Sequence, residues 1–157
     1  MHLHTDIYIH QEVDADRLIR ATAQALGVDA RTIQVVPAGT PRGLAALQNP
    51  ESTVVYQREP DDQPGDFPAR FAVSINCSGA EFLPTFASIA KALAVAILSD
   101  IDTPDGDSVW RLFLPDGTTR LVEIDRDAFD DDALVLRPQD RANVERVTAQ
   151  SRHRIAA

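Results

Sequence analysis

The chain has 157 residues, a formal net charge of −9 at pH 7 and a pI near 4.7, with 44% hydrophobic and 25% charged residues. This composition is typical of one compact globular domain, and it excludes a disordered or fibrous chain. The acidic balance argues against nucleic acid or an anionic membrane as the main partner. The chain has one cysteine, no apolar run near the roughly 20 residues of a membrane span, and no signal-peptide pattern at its start, so we expect a cytoplasmic protein.

The N-terminal part of the chain predicts a strand followed by a helix. Residues 3–12 alternate between apolar and polar side chains, which is typical of a strand with one buried face. Asp14 or Asp16 then caps a helix whose apolar positions recur with the helical period until Gly27 ends it. Three further strands are predicted at 31–36, 52–58 and 69–76.

The longest predicted helix follows these strands. Ser78 to Glu81 fits the S-x-x-E pattern of a helix start, and we expect the helix to run to about Leu98. Its buried stripe includes Phe86, Ile89, Leu93 and Ile97. The segment 39–43 is interpreted as a loop ahead of a short helical turn at 44–47.

The C-terminal third predicts a hairpin and a basic tail. Residues 109–114 and 119–124 flank an Asp-Gly turn, and 134–136 is a candidate short strand. The tail at 139–157 either docks as a helix or frays. The predicted fold is α+β, with two helices packed as a sandwich on one mostly antiparallel sheet of five to six strands. Residues 1–138 form its single domain.

The histidines of the first strand are the first candidates for chemistry. His2 and His4 lie two positions apart, so their side chains share a face roughly 6.6 Å apart. His10 is too far along the strand to share an ion with them, and the pair stands at a chain end. We therefore predict no metal site there.

Three other segments depart from the functional motifs that they resemble. The glycines at 39–43 lack the G-K-[ST] of a phosphate loop. Cys77 lacks the neighbouring small residue of a nucleophile elbow and is interpreted as a buried structural thiol. The acidic loop 100–107 departs from the calcium-loop pattern at three positions. We predict no catalytic residue and no cofactor.

The distribution of charge is the strongest functional signal. Residues 99–132 contain eleven acids against three arginines, a net charge of −8, whereas the rest of the chain is nearly balanced. These carboxylates flank the hairpin that holds the only tryptophan, and an aromatic anchor among charges of one sign is typical of an electrostatically steered interface. The predicted partner-binding residues are Asp100, Asp102, Asp105, Asp107, Trp110, Asp130, Asp131 and Asp132.

The stretch from Ile89 through Asp100, continued by Trp110 to Gly117, resembles small acidic bacterial proteins of the toxin-immunity kind. The resemblance covers the last 80 residues or so and implies a cytosolic inhibitor of a basic toxin domain, without catalysis of its own. Our leading hypothesis is therefore a non-catalytic acidic protein that inhibits or escorts a basic partner protein.

Two alternatives to this hypothesis stay open. The polar side chains of the first strand could line a cleft of a small-molecule-binding domain or a small enzyme. The polar strand and the basic tail could instead mediate self-association. The polar side chains in question are His2, His4, Asp6, Tyr8 and His10.

Overall fold

The computed structural model describes residues 2–76, 82–100 and 109–156. Within these residues the strands are β1 (His2–Ile9), β2 (Ile33–Pro37), β3 (Val54–Arg58), β4 (Ala69–Asn76), β5 (Ile97–Ser99), β6 (Val109–Phe113) and β7 (Thr119–Glu123). The helices are α1 (Ala15–Leu26), α2 (Pro41–Gln48), α3 (Phe82–Leu93), α4 (Arg126–Asp130) and α5 (Pro138–Ala156), with a 3₁₀ turn at Ala30–Thr32.

All seven strands belong to one open mixed sheet. Their order is β2-β3-β4-β1-β5-β6-β7, in which β2 and β3 are parallel and every other neighbouring pair is antiparallel. The α+β class and the mostly antiparallel sheet are confirmed. The structure has seven strands and five helices in the described residues, more than the predicted five to six strands and two helices. The additional elements are short or form only by packing on distant parts of the chain: β5, α2, α4 and α5.

Strand alternation divides the sheet into two faces. The first face is covered by α1 and α3, which pack on Ile7 and Ile9 of β1 and on Phe71 and Val73 of β4. Tyr56 of β3 lies in the same core, fully buried. The two helices expected from the sequence therefore share one layer, as predicted.

Within the described residues, helices cover the second face only at its two ends. At one end α2 packs through Ala46 on Val36 and Val55. At the other end α5 packs through Val144 and Val147 on the side of β5 and β6. Between the two covered ends, the same face of β1 and β4 carries mostly polar side chains. This uncovered strip positions the candidate site.

The end of the long helix corrects a prediction. The helix α3 ends at Leu93 rather than near Leu98, since Ala94 has a positive φ of 53° and the Val95 amide donates to the Ala90 carbonyl at 3.1 Å. Ile97 to Ser99 then form β5 between β1 and β6. Ile97 fitted the helical stripe because it is buried in the same core, but it reaches that core from a strand. The segment 78–81 and Cys77 lie outside the described residues.

A second correction concerns the segment interpreted as a loop at 39–43. The helix α2 already begins at Pro41, where a missing amide hydrogen costs nothing, and the Thr40 hydroxyl accepts from the Gly43 amide. Position 43 requires glycine because α2 lies close to the end of β2. A β-carbon at this position would lie 2.7 Å from the Pro37 carbonyl oxygen. The helix therefore docks very close to the sheet.

The C-terminal segment is a 19-residue helix, α5. Asp66 helps to hold it, since its carboxylate accepts from the Leu136 amide at 2.8 Å and contacts the Arg141 Nε at 3.1 Å. The candidate strand at 134–136 is reduced to two isolated bridges, Gly65–Leu134 and Ile124–Leu136. Because α5 contributes Val144 and Val147 to a core that it shares with the sheet, the predicted tail packs on the rest of the described structure.

Candidate functional site: a polar trough on the sheet

The uncovered strip of β1 and β4 forms a trough beside α2. Its main cavity measures about 400 Å³, and an adjoining cavity of about 370 Å³ shares three of its lining residues. We call the two cavities together the trough. The side chains that line it and matter here are His4, Asp6, Leu47, Gln57, Ser74 and Asp100.

The trough follows from the register of β1 and β4. His4 pairs with Ser74 and Asp6 pairs with Ala72, so these positions point to the same face of the sheet. Ala72 and Ser74 are small and leave a low floor, whereas β4 buries large side chains on its opposite face. Side chains alternate along β4, so the small residues of the trough floor lie between the large residues that pack under α1 and α3.

Two hydrogen-bonded pairs fix the polar side chains along the floor. The His4 Nδ1 and the Ser74 Oγ lie 2.9 Å apart. The Arg70 Nη2 donates to the Asp6 Oδ2 at 2.6 Å, and each of these two side chains is about one-third exposed. The trough is therefore preorganised, with its polar groups held by partners on the neighbouring strand.

A second carboxyl group, that of Asp100, lies at the end of the trough just after β5. Partial desolvation raises the pKa of Asp100, and the negative charge of Asp6 acts in the same direction, against a smaller effect of its own main-chain amide. The two carboxyl groups therefore share one electrostatic environment. A cation placed between the two carboxyl groups would relieve their repulsion.

Trp110 is a core residue. It is 6% exposed and lies between Tyr8 and Phe129, with ring centroids 5.7 Å and 6.1 Å away. Its predicted use as an apolar anchor required an exposed ring, and that condition is not met in this structure. Trp110 instead belongs to an aromatic row that runs from Tyr8, beside the trough, to Phe129 of α4.

The other predicted partner-binding residues fall into two groups. Asp130, Asp131 and Asp132 are exposed at the end of α4, next to Phe129. The aromatic row places them on the same face of the sheet as the trough. Asp102, Asp105 and Asp107 lie outside the described residues.

The structure separates the histidines of the first strand. His4 lines the trough, whereas His10 follows the end of β1 and its Nδ1 accepts a hydrogen bond from the Ala96 amide at 2.9 Å. The His2 side chain lies outside the described part of the molecule. In residues 2–76, 82–100 and 109–156 no group of three His, Cys, Asp or Glu side chains could hold a metal ion.

Sequence reasoning missed several of the residues that build the trough. The alternation of Arg70, Ala72 and Ser74 with buried neighbours on β4 was a usable signal, because two adjacent strands with polar outer faces predict an uncovered strip. Leu47 carried no such signal. Its place beside the trough depends on how α2 docks on the sheet.

Comparisons with protein-family models, with curated proteins and with solved structures find no match for this chain. Among the helices of the described residues, none is both long enough and apolar enough to cross a bilayer.

Proposed function

We propose that this protein is a non-catalytic binding protein that inhibits or escorts a basic partner protein, as the immunity protein of a bacterial toxin does. The observation that carries the proposal is the uncovered trough with the carboxylates of Asp6 and Asp100, on a chain of net charge −9. A surface of this kind attracts a cationic partner and raises its association rate.

The polar groups of the trough are held in place in the free protein. Asp6 is held by Arg70, and His4 is held by Ser74, so the polar groups are already paired in the free protein. Paired groups of this kind give a fixed surface with complementary charge, which supports recognition of a partner. The exposed residues Asp130 to Asp132 add negative charge at the end of α4.

The test is a pull-down with the tagged protein from source-cell lysate at low salt, followed by stepwise salt elution and mass spectrometry. We expect one stoichiometric basic protein whose association slows at least about tenfold when salt is raised, because steering is screened. The variant D130R should also slow association. D16R makes the same change of charge and is the matched control, since Asp16 is exposed on α1 in the opposite layer. Binding that does not depend on salt would overturn the proposal.

The cavity itself favours a second candidate, a small-molecule-binding domain. A trough of about 400 Å³ is within the size range of ligand sites. A thermal-shift screen of metabolites distinguishes the two functions. Stabilisation of the wild type by a metabolite, lost in S74V, would favour the small-molecule function.

A further inference from the structure

The helix α2 leaves two leucines exposed, and one of them, Leu47, lines the trough. Among the described residues four large hydrophobic side chains are exposed, and two of them are on α2: Leu44 at 56% and Leu47 at 39%. The cause is the way the helix docks, because Gly43 and Ala46 occupy the face that meets the sheet. The leucines are thereby turned to the flanks of α2.

Leu47 lines both cavities of the trough. One wall of the trough is thus apolar, whereas Asp6 and Asp100 line the main cavity with negative charge. Ala72 and Ser74 keep the floor between them low. The trough therefore offers an apolar contact and a cation contact within the length of a few residues of extended chain.

Resting on the proposed function, we infer that the trough binds a segment of the partner protein in which an apolar side chain neighbours a lysine or arginine. The apolar side chain would pack on Leu47, and the cation would lie between Asp6 and Asp100. Leu47 determines the preference for an apolar neighbour, and the two carboxylates determine the preference for a cation.

Charge complementarity selects this occupant over the alternatives. A second copy of the chain would bring a net charge of −9 against a trough with two carboxylates, so the two copies repel each other. Nucleic acid and anionic lipid are repelled for the same reason. A cationic protein segment meets both the charged and the apolar walls.

The experiment titrates the labelled protein with three short synthetic peptides and follows amide chemical shifts and affinity. The first peptide alternates leucine and lysine, the second alternates serine and lysine, and the third alternates leucine and glutamate. We expect the first to bind most tightly, with the largest shifts at His4, Leu47 and Ser74. The leucine–glutamate peptide should not bind.

Substitutions in the trough test whether the preference for the leucine–lysine peptide arises there. L47A should weaken binding of the leucine–lysine peptide about fivefold to tenfold, since it removes buried apolar surface. L121A is the matched control, because Leu121 is also exposed, at 46%, but lies on β7 at the far edge of the sheet. D100N should weaken both lysine peptides, and a thermal melt of each variant checks that it is folded.

The outcomes separate this inference from the proposed function. Equal affinity for both lysine peptides, unchanged in L47A, would overturn the apolar–cationic preference and leave a purely electrostatic binding protein. Shifts confined to the region of Asp130 to Asp132 would overturn the trough as the site. Failure of every cationic peptide to bind, with a basic protein still captured in the pull-down, would overturn the inference but not the proposed function.

Discussion

Tyr8 and Arg70 face each other across β1 and β4, and the Arg70 guanidinium lies 5.7 Å from the centroid of the Tyr8 ring. The same guanidinium donates to Asp6, so one side chain links the aromatic row to the floor of the trough. Cation–π contact and ion pairing both depend on a positive charge at this position. Arg70 therefore compensates part of the negative charge that a cationic partner would meet.

Replacing Arg70 tests this compensation. R70M removes the charge at similar volume, so we expect the affinity for a lysine-containing peptide to rise, measured by calorimetry at low salt. The stability should fall by about 1 kcal/mol or less, because the Arg70–Asp6 pair is partly exposed and screened. R70K keeps the charge and is the control. A lower affinity in R70M would contradict the electrostatic account of the trough.

The buried hydroxyl groups of Thr22 and Tyr56 give an asymmetric prediction. The Thr22 Oγ1 donates to the Leu18 carbonyl at 2.8 Å, so its single proton is used and the Tyr56 hydroxyl donates to Thr22, also at 2.8 Å. Y56F leaves Thr22 with its acceptor and should cost about 1 kcal/mol of unfolding free energy. T22V leaves the Tyr56 hydroxyl buried without an acceptor and should cost about 2–3 kcal/mol.

Denaturant unfolding of both variants measures the difference. T22S, which keeps the hydroxyl, controls for the loss of the acceptor. Equal costs for Y56F and T22V would mean that the direction of the hydrogen bond is the reverse of the one inferred.

Two glycines with positive φ should respond differently to alanine. A β-carbon on Gly65 would lie 2.3 Å from the Leu134 carbonyl oxygen, whereas one on Gly27 meets nothing within 4 Å. G27A should therefore cost only the left-handed backbone strain, about 1 kcal/mol. G65A adds a backbone clash and should cost roughly 3 kcal/mol or more. Thermal unfolding of the two variants side by side checks this order, and similar melting temperatures would contradict it.

His10 should make stability depend on pH. Burial lowers the pKa of His10, and the positive charge of Arg152 acts in the same direction. A histidine whose pKa is lower in the folded state binds its proton more readily when unfolded. Stability contributed by neutral His10 is therefore present above the unfolded pKa, about 6.5, and is lost as pH falls through the folded value.

Denaturant unfolding of the wild type and H10N from pH 7.5 down to about 5 measures this slope. Asparagine keeps an acceptor for the Ala96 amide but does not titrate, so the slope should be shallower in H10N. H4N is the control, because His4 lies on the trough and not at this buried corner. An unchanged slope in H10N would assign the acid sensitivity to other groups.

The parts of the fold that were predicted from sequence are those fixed by local chemistry. The helix α1 begins after Asp14, whose side chain accepts from the Asp16 amide, and ends at Gly27 in the left-handed conformation. The hairpin of β6 and β7 likewise turns at Gly117, with φ of 86°. Each signal lies within a few residues of the structure that it determines.

The parts that were missed depend on distant partners. Ile97 to Ser99 carry no strand alternation of their own and become β5 only because β1 and β6 pair on either side. Leu47 lies in the predicted helical turn, but its exposure could not be foreseen, because it depends on Gly43 and Ala46 taking the buried face of α2. The β1 side of the trough could be predicted, because the alternation of the first strand places His4 and Asp6 together on its polar face.

The shortness of β5 has a consequence for cooperativity. In the sheet, only three residues of β5 join the four strands from β2 to β1 with the hairpin of β6 and β7. Ile97 belongs to the core under α1 and α3, and Leu98 belongs to the core under α5. If the pairing of β5 is lost, the core under α5 can open while the core under α1 and α3 stays folded. The amide protons of β6, β7 and α5 should therefore exchange through an opening of lower free energy than those of β1 and β4.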